Sequence, residues 1–80
     1  MDKNIYVVQE VDSDENITSE LFNEDRDGAI RFLKTRHATI KQNHKDWEEE
    51  VDINYYAWHK DDKFIKLYLK ILEDDRTNDE

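Results

Sequence analysis

VDINYYAWHKDDKFIKLYLKIL, residues 51–72, alternates apolar and polar side chains on both sides of Lys60-Asp61-Asp62. Alternation with period two is the mark of a half-buried strand, so this stretch predicts a hairpin of Val51 to His59 against Lys63 to Leu72. On the second strand Ile65, Leu67, Leu69 and Ile71 share one face, and Val51, Ile53, Tyr55 and Ala57 are expected to join them. The opposite face then carries Phe64, Lys66, Tyr68, Lys70 and Leu72, with Tyr56 and Trp58 from the neighbouring strand and further support from Tyr6 and Val8.

Upstream of the hairpin the period becomes helical. Asn23 or Asp25 can cap a helix N-terminus, and Glu24, Asp25 and Asp27 lie where the helix dipole favours negative charge. Ile30, Leu33, His37, Ile40, His44 and Trp47 follow at steps of three and four, with Ala29 at the edge of the stripe, and predict a helix to about Glu49. Gly28 costs on the order of 1 kcal/mol relative to alanine. It implies either a close approach to the backbone or a weak helix start. Further upstream, Ile5 to Val11 and Ile17 to Phe22 flank Asp12-Ser13-Asp14-Glu15-Asn16, which predicts a first hairpin. With one glycine and no proline in the chain, its turn must rely on Asp and Asn, which tolerate left-handed backbone best.

The order β-β-α-β-β makes the fold class α+β: one small domain over 1–72, a four-stranded, mostly antiparallel sheet with one helix packed on one face. Residues 73–80 (EDDRTNDE) contain no apolar side chain and are expected to form an acidic disordered tail.

Eighty residues suffice for one domain, and 36% hydrophobic content with nine aromatics is enough to build a core. No cysteine is present, which rules out disulfides and thiolate metal sites. The opening residues lack the chemistry of a signal peptide and no apolar run reaches bilayer length, so the expected address is cytoplasmic, without membrane contact. A net charge of -9 disfavours binding to phosphate backbones and favours basic partners. In general make-up, short, acidic and rich in Asn, Lys, Ile and Asp, the chain resembles accessory proteins of phages and other mobile elements of AT-rich genomes.

One helix leaves one sheet face open, and that face is the leading candidate site: Tyr56, Trp58, Phe64, Lys66, Tyr68 and Lys70. Aromatic residues are enriched at the centres of interfaces, and contiguous apolar patches mark contact surfaces. The expected function is therefore a non-enzymatic interaction module that meets a protein partner, or a second copy as a homodimer, through this face. The plainer reading is that Tyr and Trp are good strand residues. An aromatic face with lysines could also stack single-stranded nucleic acid, but the acidic flanks oppose it.

A different class of function follows from the carboxylates. Asp12, Asp14, Glu15, Glu20, Glu24 and Asp25 belong to the first hairpin and helix start; Asp46, Glu48, Glu49, Glu50 and Asp52 cluster near the predicted helix end. Such rows can present charge where a duplex presents phosphates, as DNA-mimic inhibitors do, and the partner would then be a basic nucleic-acid-binding protein. Acidic surfaces also serve solubility alone. Arg31, Lys34, Lys41 and Lys45 line one flank of the helix and Arg36 the other, where they can balance neighbouring acids.

Signals for chemistry are weak. His37 and His44 are about 10.5 Å apart along a helix, too far to chelate one ion; His44, Glu48 and His59 form the nearest approach to a ligand set. Ser13 and Ser19 lack an activating arrangement, and one glycine cannot build a phosphate loop. No catalytic residue, metal or cofactor is expected.

Overall fold

The computed structural model describes residues 4–72, so the tail expected at 73–80 lies outside the described residues. The elements are β1 (Ile5–Asp12), β2 (Ile17–Asn23), α1 (Arg26–Asn43), β3 (Glu48–Asp52), β4 (Tyr55–Lys60) and β5 (Lys63–Leu72). They form one α+β unit, with a five-stranded sheet in the order β2-β1-β5-β4-β3 in which every pairing is antiparallel. The expected four strands are thus five. Val51 to His59 is two strands: the chain reverses at Ile53-Asn54, where Asn54 takes a left-handed φ of 54° and Asp52 Oδ1 accepts from the Ile53 N–H at 2.7 Å.

The helix also stops earlier than its apolar stripe. His44 ends it, its N–H donating to the Lys41 carbonyl, and Trp47 then folds back onto the core through its N–H bond to the His44 carbonyl. Glu48, Glu49 and Glu50 would sit badly at a helix C-terminus, whose dipole repels carboxylates. As strand β3 they occupy the sheet edge instead.

At the other end Asp25 caps the helix, its side chain accepting from the Gly28 N–H at 3.0 Å. A Cβ on Gly28 would come within 2.2 Å of the Asp25 carboxylate. Any larger residue there would therefore require the Asp25 carboxylate to shift from this capping position.

The first turn differs from expectation in its left-handed residue. Asp12 is the organiser, its Oδ1 accepting from the N–H groups of Asp14 and Asn16 at 2.9 and 3.1 Å, but the positive φ of 68° falls on Glu15. The Asn16 N–H bond chiefly holds the Asp12 carboxyl below its ordinary pKa.

The core lies between α1 and one sheet face. Tyr6, Val8, Ala29, Leu33, Ile40, Trp58 and Leu67 are its buried members; Phe22, Phe32, Trp47, Tyr56, Ile65 and Leu69 pack around them. Each large side chain fully removed from water contributes about 1.5–3 kcal/mol.

Two kinds of substitution should move stability in opposite directions in urea unfolding. Glu15→Gly or Glu24→Gly, at left-handed φ of 68° and 56°, relieves backbone strain, for an expected net gain of about 0.5 kcal/mol after the entropy cost of glycine. Asp25→Ala removes the helix cap and should cost about 1 kcal/mol.

Candidate interaction surface

Directly paired residues of an antiparallel sheet point to the same side, so the register assigns every strand residue to a face. β5 behaves as its alternation predicts: Ile65, Leu67, Leu69 and Ile71 face the helix side, and Phe64, Lys66, Tyr68, Lys70 and Leu72 the open side. β4 has the opposite phase to the one expected. Trp58 pairs with Ile65 and Tyr56 with Leu67, which brings both aromatics beneath the helix. Tyr6 and Val8 pair with Ile71 and Leu69 and lie on that side too. Conversely, Tyr55 and Ala57 belong to the open face, Ile53 sits in the turn, and Val51 is on the helix side but exposed.

The two-residue turn at Asp61-Asp62 contained this information. It makes Lys60 and Lys63 partners, so residues equidistant from the turn share a face, and Trp58 must follow Ile65. Trp58 is 1% exposed. A truncation there removes core packing worth about 3–5 kcal/mol and does not probe the open surface.

Around Trp58 the helix side holds a polar junction that sequence reasoning did not find. Glu49 Oε2 accepts from Trp58 Nε1 at 3.0 Å and lies 3.0 Å from His37 Nε2, while Lys41 Nζ stands 3.6 Å from Glu49 Oε1. The His37 ring stacks on Tyr56 at 3.8 Å between centroids. Burial, the largest single influence, works to raise the Glu49 pKa; the donors and positive charge of His37, Lys41 and Trp58 together outweigh it and hold the carboxyl below its ordinary value. The junction ties strand β3 to the helix.

The open face is laid out in rows. Leu21, Val7 and Lys70 form one; Ile17, Val11, Lys66, Ala57 and Glu50 another; between them run Ser19, Gln9, Tyr68, Tyr55 and Asp52. The middle row is hydrogen-bonded, with Tyr68 Oη donating to Gln9 Oε1 at 2.8 Å and Gln9 Nε2 donating to Ser19 Oγ at 3.2 Å. Tyr55 stacks on Tyr68 at 6.2 Å, and Lys66 Nζ stands 5.4 Å from the Phe64 ring centroid. Ile17 (64%), Leu21 (60%), Leu72 (43%) and Phe64 (37%) keep much of their surface exposed. The face is therefore apolar towards β2, aromatic along β5 and acidic along β3, where Glu48, Glu50 and Asp52 point outward.

The carboxylates are divided between opposite parts of the sheet. Asp12, Asp14, Glu15, Glu20, Glu24 and Asp25 lie on the β1–β2 side or at the helix start, while Glu48 and Glu50 are across the sheet and Glu49 turns inward. Of the helix cations, Arg36 makes a two-pronged pair with Glu10 at 3.1 Å, and Lys41 turns to Glu49. Lys60 bonds Asp46, chiefly lowering the Asp46 pKa and raising its own.

His59 lies 3.3 Å from Glu48, but His44 hydrogen-bonds the Ile40 carbonyl and packs edge-on against Trp47. Among the described residues no group of three or more His, Cys, Asp or Glu could hold a metal ion. No described helix is long and apolar enough to cross a membrane. Comparison with protein-family models, with curated proteins and with solved structures finds no match to the chain.

The lowered Glu49 pKa has a signed consequence. A carboxylate held below its unfolded value stabilises the fold above that value, about 4.3 for glutamate, and the contribution disappears as pH falls through the folded pKa. Urea unfolding from pH 6 down to about 3 should therefore show a shallower acid decline in Glu49→Gln than in wild type, the variant being less stable at pH 6 and approaching wild type in acid.

Proposed function

We propose that this protein is a non-enzymatic interaction module that meets a protein partner through its open sheet face. The observation carrying this reading is the accessible apolar surface of Ile17, Leu21, Phe64 and Leu72 on the side of the sheet opposite α1. An antiparallel sheet with a solvated face normally covers it with polar side chains. Here Phe64, Lys66, Tyr68 and Lys70 form the central ridge, and Ile17, Leu21 and Tyr55 extend it sideways. Tyr68 and Tyr55 offer rigid rings with polar tips, suited to a contact that is part dry and part hydrogen-bonded. Tyr56 and Trp58, first expected in this set, act as its support from within the core.

The competing reading, a carboxylate display that captures a nucleic-acid-binding protein, draws less from the geometry. Glu48, Glu50 and Asp52 alternate along one strand at about 6.6 Å, a sparser row than the phosphate rise of about 3.4 Å per strand in a duplex.

The two readings separate by salt and by mutation. Partners retained by the immobilised protein from a lysate of its source cells should survive a rise from about 0.1 to about 1 M salt and be lost in Phe64→Glu, while Glu48→Gln/Glu50→Gln retains them. Release by salt, with loss in the glutamine variant and retention in Phe64→Glu, is the result that would replace the face by the acidic display.

A further inference from the structure

The two edges of the sheet differ sharply in how they meet solvent. β3 is five residues long and reads EEEVD, a short, charged strand of the kind that discourages edge pairing. β2 reads ITSELFN over seven residues, with Glu20 its one charge and no proline, glycine or lysine. Six of those seven residues are exposed. The helix leaves this edge uncovered.

The backbone groups that this edge leaves unpaired among the described residues can be assigned. The β1–β2 ladder is bracketed by backbone bonds from Asp12 N–H to the Asn16 carbonyl and from Glu24 N–H to the Asn4 carbonyl. Antiparallel pairs alternate between bonded and non-bonded, so Thr18, Glu20 and Phe22 bond inward to β1. Ile17, Ser19, Leu21 and Asn23 direct their N–H and C=O groups outward.

From this pattern we infer that β2 is a self-pairing edge whose occupant is β2 of a second copy, antiparallel and centred on Ser19. Any centre from Thr18 to Phe22 keeps the backbone alternation, and those that pair five or more residues are Ser19, Glu20 and Leu21. A Leu21 centre leaves Ile17 uncovered and sets each Glu20 opposite the second copy's Phe22, which is not complementary. A Glu20 centre sets the two copies' Glu20 carboxylates opposite one another, which is repulsive. A Ser19 centre instead places Ile17 opposite the second copy's Leu21, twice, on the open face, and Thr18 opposite its Glu20, twice, on the helix side. Both sets are complementary: the exposed Ile17 and Leu21 cover each other, and a threonine hydroxyl can donate to each carboxylate.

The two-fold axis of such a pair runs perpendicular to the sheet. Both helices then lie on one side, and both open faces adjoin on the other as one ten-stranded surface. The inference is independent of which molecule the open face receives. A single strand-edge contact is a small interface, so the dissociation constant is expected on the order of micromolar or weaker.

Single-cysteine cross-linking tests the register directly, because the chain has no cysteine of its own. A hydrogen-bonded pair holds its Cα atoms about 5.5 Å apart, within disulfide range. Under mild oxidation Ser19→Cys should form a covalent dimer about tenfold faster or more than Phe64→Cys. Light scattering up to about 1 mM should show a wild-type dimer, a monomer for Ser19→Pro, and a dimer still for Phe64→Glu. A wild type that stays monomeric, a Ser19→Pro dimer, or cross-linking of Phe64→Cys as fast as Ser19→Cys would each overturn the proposal. If Ser19→Pro fails to fold, the cysteine rates decide.

Discussion

A single helix has to cover five strands. Eighteen helical residues make a rod about 27 Å long and about 10 Å across, whereas five strands spaced about 4.8 Å apart span about 19 Å between the outer two. The rod shields one face, starting beside β2 at Phe22 and Phe32 and ending near β3 at Glu49 and Trp47. Everything else about the surface follows from that shortage. The deeply buried side chains Trp58, Leu33 and Leu67 lie under the rod, and on the opposite face Val7 and Ala57 are hidden only by their flanking neighbours.

The shortage also explains the placement of polar groups. β3 is too acidic and too short to be held by apolar packing, and Val51 remains 63% exposed. Glu49 supplies the missing attachment. Its carboxylate is partly shielded, so leaving it unpaired would carry part of a desolvation penalty; the Trp58 indole, His37 and Lys41 offset that penalty and in doing so connect sheet edge, core and helix. On the far side Arg36 and Glu10 connect the helix to β1 by a two-pronged bond.

The parts legible from sequence were those governed by local periodicity. β5 alternates without interruption, and its division into Ile65, Leu67, Leu69 and Ile71 against Phe64, Lys66, Tyr68 and Lys70 is the division found. The start of α1 was legible to within two residues, as Asn23 or Asp25, and Asp25 is the cap. What periodicity could not supply was the reversal at Ile53-Asn54, because it uses an Asn with positive φ in place of the glycine that usually announces a turn. Missing it shifted β4 by one residue, and a one-residue shift exchanges the faces, carrying Tyr56 and Trp58 to the wrong side. The helix was overextended for a related reason: Trp47 keeps the three-and-four spacing and does reach the core, but by way of a turn. The Glu49 junction joins residues from three elements, and no spacing rule connects His37, Glu49 and Trp58 in advance.

The strand order carries an implication for synthesis. β5, the last of the five described strands in chain order, lies at the centre of the sheet, between β1 and β4. Until it emerges, the nascent chain holds two separate half-sheets, β1–β2 and β3–β4, each with its inner edge unpaired and its share of the core open to water. The central seam is sewn last, and the loop it closes, from Ile5 to Leu72, spans nearly the whole described chain. Vectorial synthesis therefore gives this small protein no stable partial sheet on which to build, and the ladder joining its two halves forms in a late, cooperative step dominated by distant contacts.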